Sequence, residues 1–195
     1  KKHSLMIAHG GLGGLETENT LAGVLAACNR SYWGIEVDVC YTADGEIVLI
    51  HDSSTGSVSP VNIQVEASTL TQVQSVPLYD FRNFYDMEKY GLKIEKTHTR
   101  SDLRIPTLKE YLGLCKRYCK TAVIEIKSNM NSNHIAYMLN QIDELDYREH
   151  IIFISFLSFF FRCCFFSIVT HVTPLSVNSM SDCDQSFHTV CLMRG

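Results

Sequence analysis

Acidic side chains occur at alternating positions in two apolar stretches of this sequence. Glu36 and Asp38 lie in the run GIEVDVC, and Glu125 lies in TAVIEI, which Lys127 follows. Successive side chains of a strand point to opposite faces, so Glu36 and Asp38 share one face, as do Glu125 and Lys127. Carboxylates brought together in a sheet repel each other and lose hydration unless a cation joins them. The spacing therefore predicts a cation site.

The donor atoms of this predicted site indicate which cation it would hold. Three carboxylates without a thiolate favour a hard divalent ion, Mg²⁺ or Ca²⁺. Such an ion polarises a phosphoryl oxygen and orients a nucleophile. The alternative is structural, with Glu36 and Asp38 on the wet face of an edge strand and with Glu125 and Lys127 as a surface ion pair.

Two histidines follow other predicted strands. His9 comes after SLMIA, and His51 comes after IVLI. Imidazole titrates near neutral pH, so the two rings could divide the roles of general base and general acid, while Lys127 supplies positive charge for a phosphate. A hydrogen-bonded structural role stays open for each histidine. Together with the carboxylates, the pattern indicates phosphodiester cleavage.

The elements that position these residues alternate between strand and helix, as in parallel α/β folds. Strands are predicted at Ser4–Ala8, Gly34–Cys40, Ile47–Ile50, Thr121–Ile126 and Ile151–Ser155. Helices are predicted at Asn19–Cys28, Pro106–Tyr118 and His134–Leu145. The first helix is expected to be capped within Thr17–Asn19. Ligands bind at the carboxyl ends of the strands in such folds, and the polar residues fall at those ends.

Composition excludes several classes of protein. The chain has 195 residues, of which 46% are hydrophobic and 19% charged, and this favours one globular domain. The net charge is −4, so the protein lacks the positive electrostatic field that attracts nucleic acid, and we do not expect a nucleic-acid-binding protein. The eight cysteines include no C-x-x-C, so we expect free thiols rather than a zinc site. No signal-peptide pattern opens the chain, which favours the cytoplasm, but residue 1 is not Met and the compartment stays open.

Four segments, in this order, resemble the glycerophosphodiester phosphodiesterase family: IAHGGLGGLETENTLAGVLAAC, GIEVDVCYTADGEIVLIHD, RIPTLKEYL and AVIEIK. The resemblance covers about residues 5–155. It implies a (β/α)8 TIM barrel that uses a divalent metal to hydrolyse small-molecule glycerophosphodiesters to glycerol 3-phosphate and an alcohol. It implies that His9 and His51 are the acid/base pair. It implies that Glu36, Asp38 and Glu125 are the metal ligands and that Lys127 is a substrate or phosphate contact. Glu18 and Asn19 match the family's E-N-T segment, where the sequence does not separate a functional role from helix capping.

The sequence departs from the family pattern in two ways. The family usually has His-Arg-Gly where this chain has His9, Gly10 and Gly11, so an arginine expected to hold the phosphate is absent. Arg100 and Arg104 are candidate substitutes that no sequence feature places near the site. Such barrels have about 250 residues, and about five of the eight strands are recognisable here, which predicts a barrel that is incomplete at its carboxyl terminus.

Two segments fall outside the regular pattern. Residues 53–104 form a long insertion, for which we consider a lid over the active site and a mixture of helix and surface loop. Composition changes near Phe156: eight of the ten Phe lie at or beyond Phe153. The apolar stretch 151–169 suits a membrane span in length, but Arg162 lies at its middle, where a charge is costly. A buried strand with a core helix is a second interpretation, and we favour a third, an altered reading frame over residues 156–195.

Other functions compete with hydrolysis. The same barrel could hold a phosphorylated ligand without cleaving it, or could have phospholipase D-like activity. A dinucleotide-binding fold is disfavoured, because GGLGG lacks the third glycine of that motif and because the interpretation leaves His51 and Glu125 unexplained. Membrane association is not favoured, and the oligomeric state is not indicated.

Overall fold

The computed structural model describes residues 5–82, 98–154 and 192–193. Within these ranges the strands are β1 (Ile7–Ala8), β2 (Gly34–Tyr41), β3 (Ile47–Leu49), β4 (Leu78–Tyr79), β5 (Thr99–Arg100), β6 (Thr121–Ile126), β7 (Ile151–Ile154) and β8 (Leu192–Met193). The α-helices there are α1 (Leu21–Cys28), α2 (Leu70–Ser75), α3 (Leu108–Arg117) and α4 (Ser132–Glu144). Three 3-10 helices lie at Thr55–Ser57, Val65–Ala67 and Arg148–His150.

The main sheet is largely parallel. Its strands lie in the order β7, β6, β2, β1, β8, and β3 pairs with β2. β2 and β6 run side by side over six register pairs, from Gly34 opposite Thr121 to Val39 opposite Ile126. The predicted alternation of parallel strands and helices is confirmed. The long shared register fixes the relative positions of the side chains on these two strands.

The strand predicted at Ile47–Ile50 forms, but it is antiparallel to β2 and is therefore not the third parallel strand that we expected. The chain reverses at Ala43–Gly45, where Gly45 has φ 88°, a conformation that favours glycine. Ile50 then donates its amide to the carbonyl of Asp38 at 3.0 Å. Periodicity alone does not reveal strand direction. The reversal brings the end of β3 back alongside the acidic part of β2.

One face of the sheet is covered by α1, α3 and α4. On β2 this face carries Ile35, Val37 and Val39, which are fully buried in the main apolar cluster. The hydroxyl of Tyr111 in α3 donates to the carbonyl of Ile35 at 2.6 Å, which ties that helix to the strand. Because side chains alternate along β2, the acidic residues between these positions face the other side of the sheet.

The helices begin at different residues from those expected. Thr20 caps α1 and accepts a hydrogen bond from the Gly23 amide at 3.2 Å, so the cap is not within Thr17–Asn19. Thr107 caps α3 in a reciprocal capping box with Glu110. Pro106 thus precedes the cap and does not lie in the first turn. In α4, His134 lies inside the first turn, because the cap is Asn131.

The insertion is folded where it is described. Its apolar residues form a second buried cluster together with residues of β2 and β3; the buried members are Cys40, Val48, Ile50, Val65, Val73, Val76, Leu78, Leu103 and Ile105. β4 and β5 pair antiparallel at its far end. Residues 83–97, in the later part of the insertion for which a lid and a mixture of helix and surface loop were considered, lie outside the described residues. The lid stays a prediction.

The apolar tail falls almost entirely outside the described residues. Ile151–Ile154 form the predicted fifth strand, and Leu192–Met193 pair parallel with β1. The interpretations of residues 156–195, including the altered reading frame, stay predictions. Within the described ranges, the helices are all too short or too polar to cross a membrane. The four cysteines placed there, Cys28, Cys40, Cys115 and Cys119, are free thiols as expected.

Candidate metal and active site

The pairing of β2 with β6 brings three carboxylates together. Asp38 lies directly opposite Glu125 in the parallel register, and Glu36 lies two positions earlier on the same face of β2. Each residue offers a carboxylate oxygen, and these three oxygens lie within 4.8 Å of one another. Glu36 is 0% exposed, Asp38 1% and Glu125 4%. They are therefore neither on a wet edge strand nor in a surface ion pair.

Burial and mutual repulsion act most strongly on Glu36. Burial raises the pKa of its carboxyl to about 8, with a further increase from Asp38 and Glu125 and an opposing effect from the Gly10 amide and Lys127. The Gly10 amide donates to Glu36 Oε2 at 2.9 Å. Oε1 has no hydrogen-bond partner among the described residues. A buried acceptor without a donor beside two further carboxylates fits a cation ligand.

Lys127 lies against the same carboxylates. Its Nζ is 2.5 Å from Glu125 Oε1 and 3.3 Å from Asp38 Oδ1. Burial tends to lower the pKa of the ammonium, but Glu125 and Asp38 outweigh this effect and the pKa is raised. When all four groups are ionised, the cluster carries a net charge of −2, which a divalent cation balances. Lys127 thus belongs to the site, while its contact with phosphate stays a prediction.

His9 is placed at the edge of the carboxylate cluster. It follows β1, and its Nε2 is 3.9 Å from Glu36 Oε2. Its side chain is 19% exposed, so one part of the ring is accessible while another faces the carboxylates. This position is compatible with proton transfer to a bound molecule.

His51 occupies a more open position after β3. Its side chain is 59% exposed, and its Nδ1 is 2.7 Å from Asp52 Oδ1. Hydrogen bonds from Ser57 and His51 lower the pKa of Asp52, and Lys127 contributes to the same shift. A carboxylate beside Nδ1 orients the ring and leaves Nε2 for a substrate. The described contacts do not join His51 directly to His9.

Asn19 was not among the predicted site residues, but it contacts the site directly. Its Nδ2 donates to Asp38 Oδ2 at 2.9 Å, and its Oδ1 accepts from the Asp38 amide at 3.0 Å. The E-N-T segment was the sequence signal for this residue. Helix capping was the competing explanation, and Thr20 takes that role instead.

The arginines considered as substitutes for the missing one have other partners. Arg100 pairs with Glu16 at 2.5 Å and with Asp102 at 2.7 Å. Arg104 pairs with Glu110. Gly10 itself has φ 60°, and a Cβ there would lie 3.1 Å from the side chain of Glu18. The described structure therefore supplies Lys127, rather than an arginine, as the cation nearest to the carboxylates.

Comparison with known proteins places this site in a family. The model of the glycerophosphoryl diester phosphodiesterase family matches residues 9–159, which include all the predicted site residues. The chain belongs to this family. Mouse glycerophosphodiester phosphodiesterase 1 is 31% identical over 123 residues, covering 63% of this chain and 34% of the mouse protein. A glycerophosphodiester phosphodiesterase of Caldanaerobacter subterraneus is 29% identical over 159 residues, covering 78% of this chain and 58% of its own.

Solved structures of the family share the fold. The Oleispira antarctica phosphodiesterase in complex with the product sn-glycerol-3-phosphate has a TM-score of 0.62 and 22% identity, covering 80% of this chain and 58% of that one. A putative glycerophosphoryl diester phosphodiesterase from Silicibacter pomeroyi has a TM-score of 0.63 and 21% identity, covering 78% of this chain and 58% of that one. The described sheet and helices are thus part of a (β/α)8 barrel, as predicted. The chain spans about one third of the mouse protein and little more than half of the bacterial ones.

Proposed function

We propose that this protein hydrolyses glycerophosphodiesters to glycerol 3-phosphate and an alcohol with the help of a divalent metal. The observation that carries the proposal is the convergence of three buried carboxylates from two paired strands, with Glu36 Oε1 unpartnered among the described residues. This donor set suits Mg²⁺ or Ca²⁺. Family membership supplies the substrate class.

Glu36, Asp38 and Glu125 would hold the metal. When bound, it would polarise a phosphoryl oxygen and offset negative charge on phosphorus. His9 and His51 would divide the proton transfers: one ring would accept a proton from the attacking water as the water oxygen bonds to phosphorus, and the other would donate a proton to the leaving alcohol oxygen as the bond between that oxygen and phosphorus breaks. The water added across the ester is thereby accounted for, and the two rings end in exchanged protonation states.

Lys127 would have two roles, one toward the carboxylates and one toward the substrate. Its ammonium lies between Glu125 and Asp38, so it limits the repulsion between them while the metal is absent. It also places a positive charge beside the expected phosphate position. Because Gly10 provides no side chain, Lys127 and the metal would carry most of the phosphate binding in this chain.

Turnover is the direct test. The folded protein is incubated with glycerophosphocholine or glycerophosphoethanolamine and Mg²⁺ or Ca²⁺, and glycerol 3-phosphate is measured. We expect product that disappears on chelation and returns with added metal. Absence of product with both substrates and both ions would overturn the proposal.

The absence of an arginine at Gly10 favours one second candidate, a barrel that binds a phosphorylated ligand without cleaving it. Calorimetric binding of glycerophosphocholine without release of glycerol 3-phosphate would support it. Release of choline from sphingomyelin would instead indicate the phospholipase D-like reaction. The intact set of two histidines and three carboxylates is the reason for preferring hydrolysis.

A further inference from the structure

Asn19 lies directly behind one of the three converging carboxylates. It is 7% exposed and lies in the connection between β1 and α1. Because a backbone N–H can only donate, the bond from the Asp38 amide identifies Oδ1 of Asn19 as the acceptor. The other end of the amide must then be the donor to Asp38 Oδ2. One side chain thus fixes both the backbone and the carboxylate of Asp38.

The backbone conformation of Asn19 is fixed by its left-handed φ and by a hydrogen bond to Gly10. Asn19 has φ 55°, in the left-handed region that asparagine adopts more readily than most residues. Its amide donates to the carbonyl of Gly10 at 2.9 Å, and the Gly10 amide in turn donates to Glu36 Oε2. Gly10 near the start of the β1–α1 connection and Asn19 near its end therefore each hold one carboxylate of the cluster.

The chemistry of the contact is also specific. The amide of Asn19 is neutral, so it holds Asp38 Oδ2 without cancelling the negative charge of the carboxylate. Asp38 Oδ1 stays turned toward Lys127, which also contacts Glu125. Groups that hydrogen-bond to a metal-binding carboxylate fix its orientation, and their loss typically weakens metal affinity or activity by about 10- to 100-fold.

From these contacts we propose that Asn19 is the positioning residue for Asp38, which it keeps oriented for a divalent cation. The inference rests on the proposed function, because it assumes that the three carboxylates bind a metal. It assigns Asn19 no contact with the substrate. Its role differs from that of Thr20, whose hydroxyl caps α1 and accepts a hydrogen bond from Gly23.

The test measures metal binding separately from turnover. Mg²⁺ and Ca²⁺ are titrated calorimetrically into the whole chain and into Asn19→Gly, since glycine retains the left-handed backbone and removes only the side chain. We expect affinity to fall by about 10- to 100-fold. Thr20→Ala is the matched control: it should lower the melting temperature through loss of the cap, with metal affinity within threefold of the parent.

Substrate kinetics supply a second readout. If Asn19 acts through the metal, turnover of Asn19→Gly at limiting Mg²⁺ or Ca²⁺ should recover as the ion concentration is raised, while the KM for glycerophosphocholine at saturating metal stays within threefold of the parent. A loss of turnover that no metal concentration restores would overturn the inference. A loss of metal affinity in Thr20→Ala as large as in Asn19→Gly would do the same.

Asn19→Asp is a second variant that tests the same role if Asn19→Gly does not fold. It preserves the acceptor for the Asp38 amide and replaces the donor to Oδ2 by a repelling oxygen. We expect weaker metal binding at pH 7.5, and affinity equal to the parent or above it would overturn the inference. A parent that binds neither ion overturns this inference and the proposed metal site together. Parent-like binding by Asn19→Gly overturns only the positioning role.

Discussion

The two faces of β2 and β6 are equally buried but stabilised in opposite ways. On one face Ile35, Val37 and Ile124 are 0% exposed and pack against helices. On the other, Glu36 is also 0% exposed, and its pKa is raised to about 8 by burial and by its acidic neighbours. Packing stabilises the first face, whereas the second retains repulsion between carboxylates that Lys127 offsets in part and that a proton or a divalent cation would reduce further. The same strands thus contribute apolar packing on one side and the candidate metal site on the other.

The largest effect on turnover is expected at His9 and His51, which lie on neither β2 nor β6. His9→Ala and His51→Ala should each reduce turnover by about 100- to 10,000-fold, the range for loss of a general acid or base. Their melting temperatures should stay near that of the parent, because neither side chain is fully buried. His150→Ala, at an exposed position away from the carboxylates, is the control. A collapse in stability without a specific loss of rate would favour structural roles for both rings.

A pair of substitutions separates the two faces directly. Glu36→Gln should weaken Mg²⁺ or Ca²⁺ binding by about 100-fold or more, because it removes a charged ligand. Loss of a group that only hydrogen-bonds to a metal ligand already weakens binding by about 10- to 100-fold. Glu36→Gln should leave the metal-free protein at least as stable at pH 8, since buried repulsion is reduced. Ile124→Val on the opposite face should cost about 1 kcal/mol of stability and leave metal affinity unchanged.

Chemical denaturation and metal calorimetry on both variants check this pair. Equal metal affinity in Glu36→Gln and in the parent would remove Glu36 from the ligand set. Weakened metal binding in Ile124→Val would show that the two faces are not independent.

The pH dependence of stability should reveal the repulsion on the acidic face. In the metal-free protein the native state retains the proton on Glu36 up to about pH 8, whereas an unperturbed Glu loses it near 4.5. Between these values the native state binds more protons than the unfolded chain, so the contribution of Glu36 to the free energy of unfolding falls as pH rises. Denaturation of the parent and Glu36→Gln across this range isolates that contribution. With saturating Mg²⁺ the pH dependence of this difference should disappear, because metal-bound Glu36 carries no proton, although the parent should then be the more stable of the two. Identical pH profiles without metal would contradict the assigned pKa.

The smallest effect is expected where the insertion meets the barrel. The hydroxyl of Thr17 donates to the Tyr79 carbonyl at 3.2 Å and accepts from the Phe81 amide at 3.1 Å. Thr17→Val should cost about 1 kcal/mol and raise hydrogen exchange around Phe81. Ser75→Ala, at the exposed carboxyl end of α2 in the same insertion, is the control. Unchanged exchange in Thr17→Val would mean that other contacts hold the insertion in place.

Alternation along the strands and the position of the polar residues at strand ends predicted that Glu36, Asp38 and Glu125 would share a site. The structure adds the parallel register, which places Asp38 opposite Glu125. The direction of β3 was not predictable in this way, since an apolar run pairs equally well in either orientation. The role of Asn19 was hidden because three of the four residues from 17 to 20, namely Thr17, Asn19 and Thr20, are of types that cap helices. Only tertiary contacts assign the cap to Thr20 and the side chain of Asn19 to Asp38.

The direct pairing of β2 with β6 has a consequence for residues 53–104. This insertion separates the two strands in sequence but does not lie between them in the sheet. Residues can be added or removed there without shifting Asp38 relative to Glu125. The length of this insertion can therefore vary in one part of the chain while the spacing of the carboxylate oxygens stays constant.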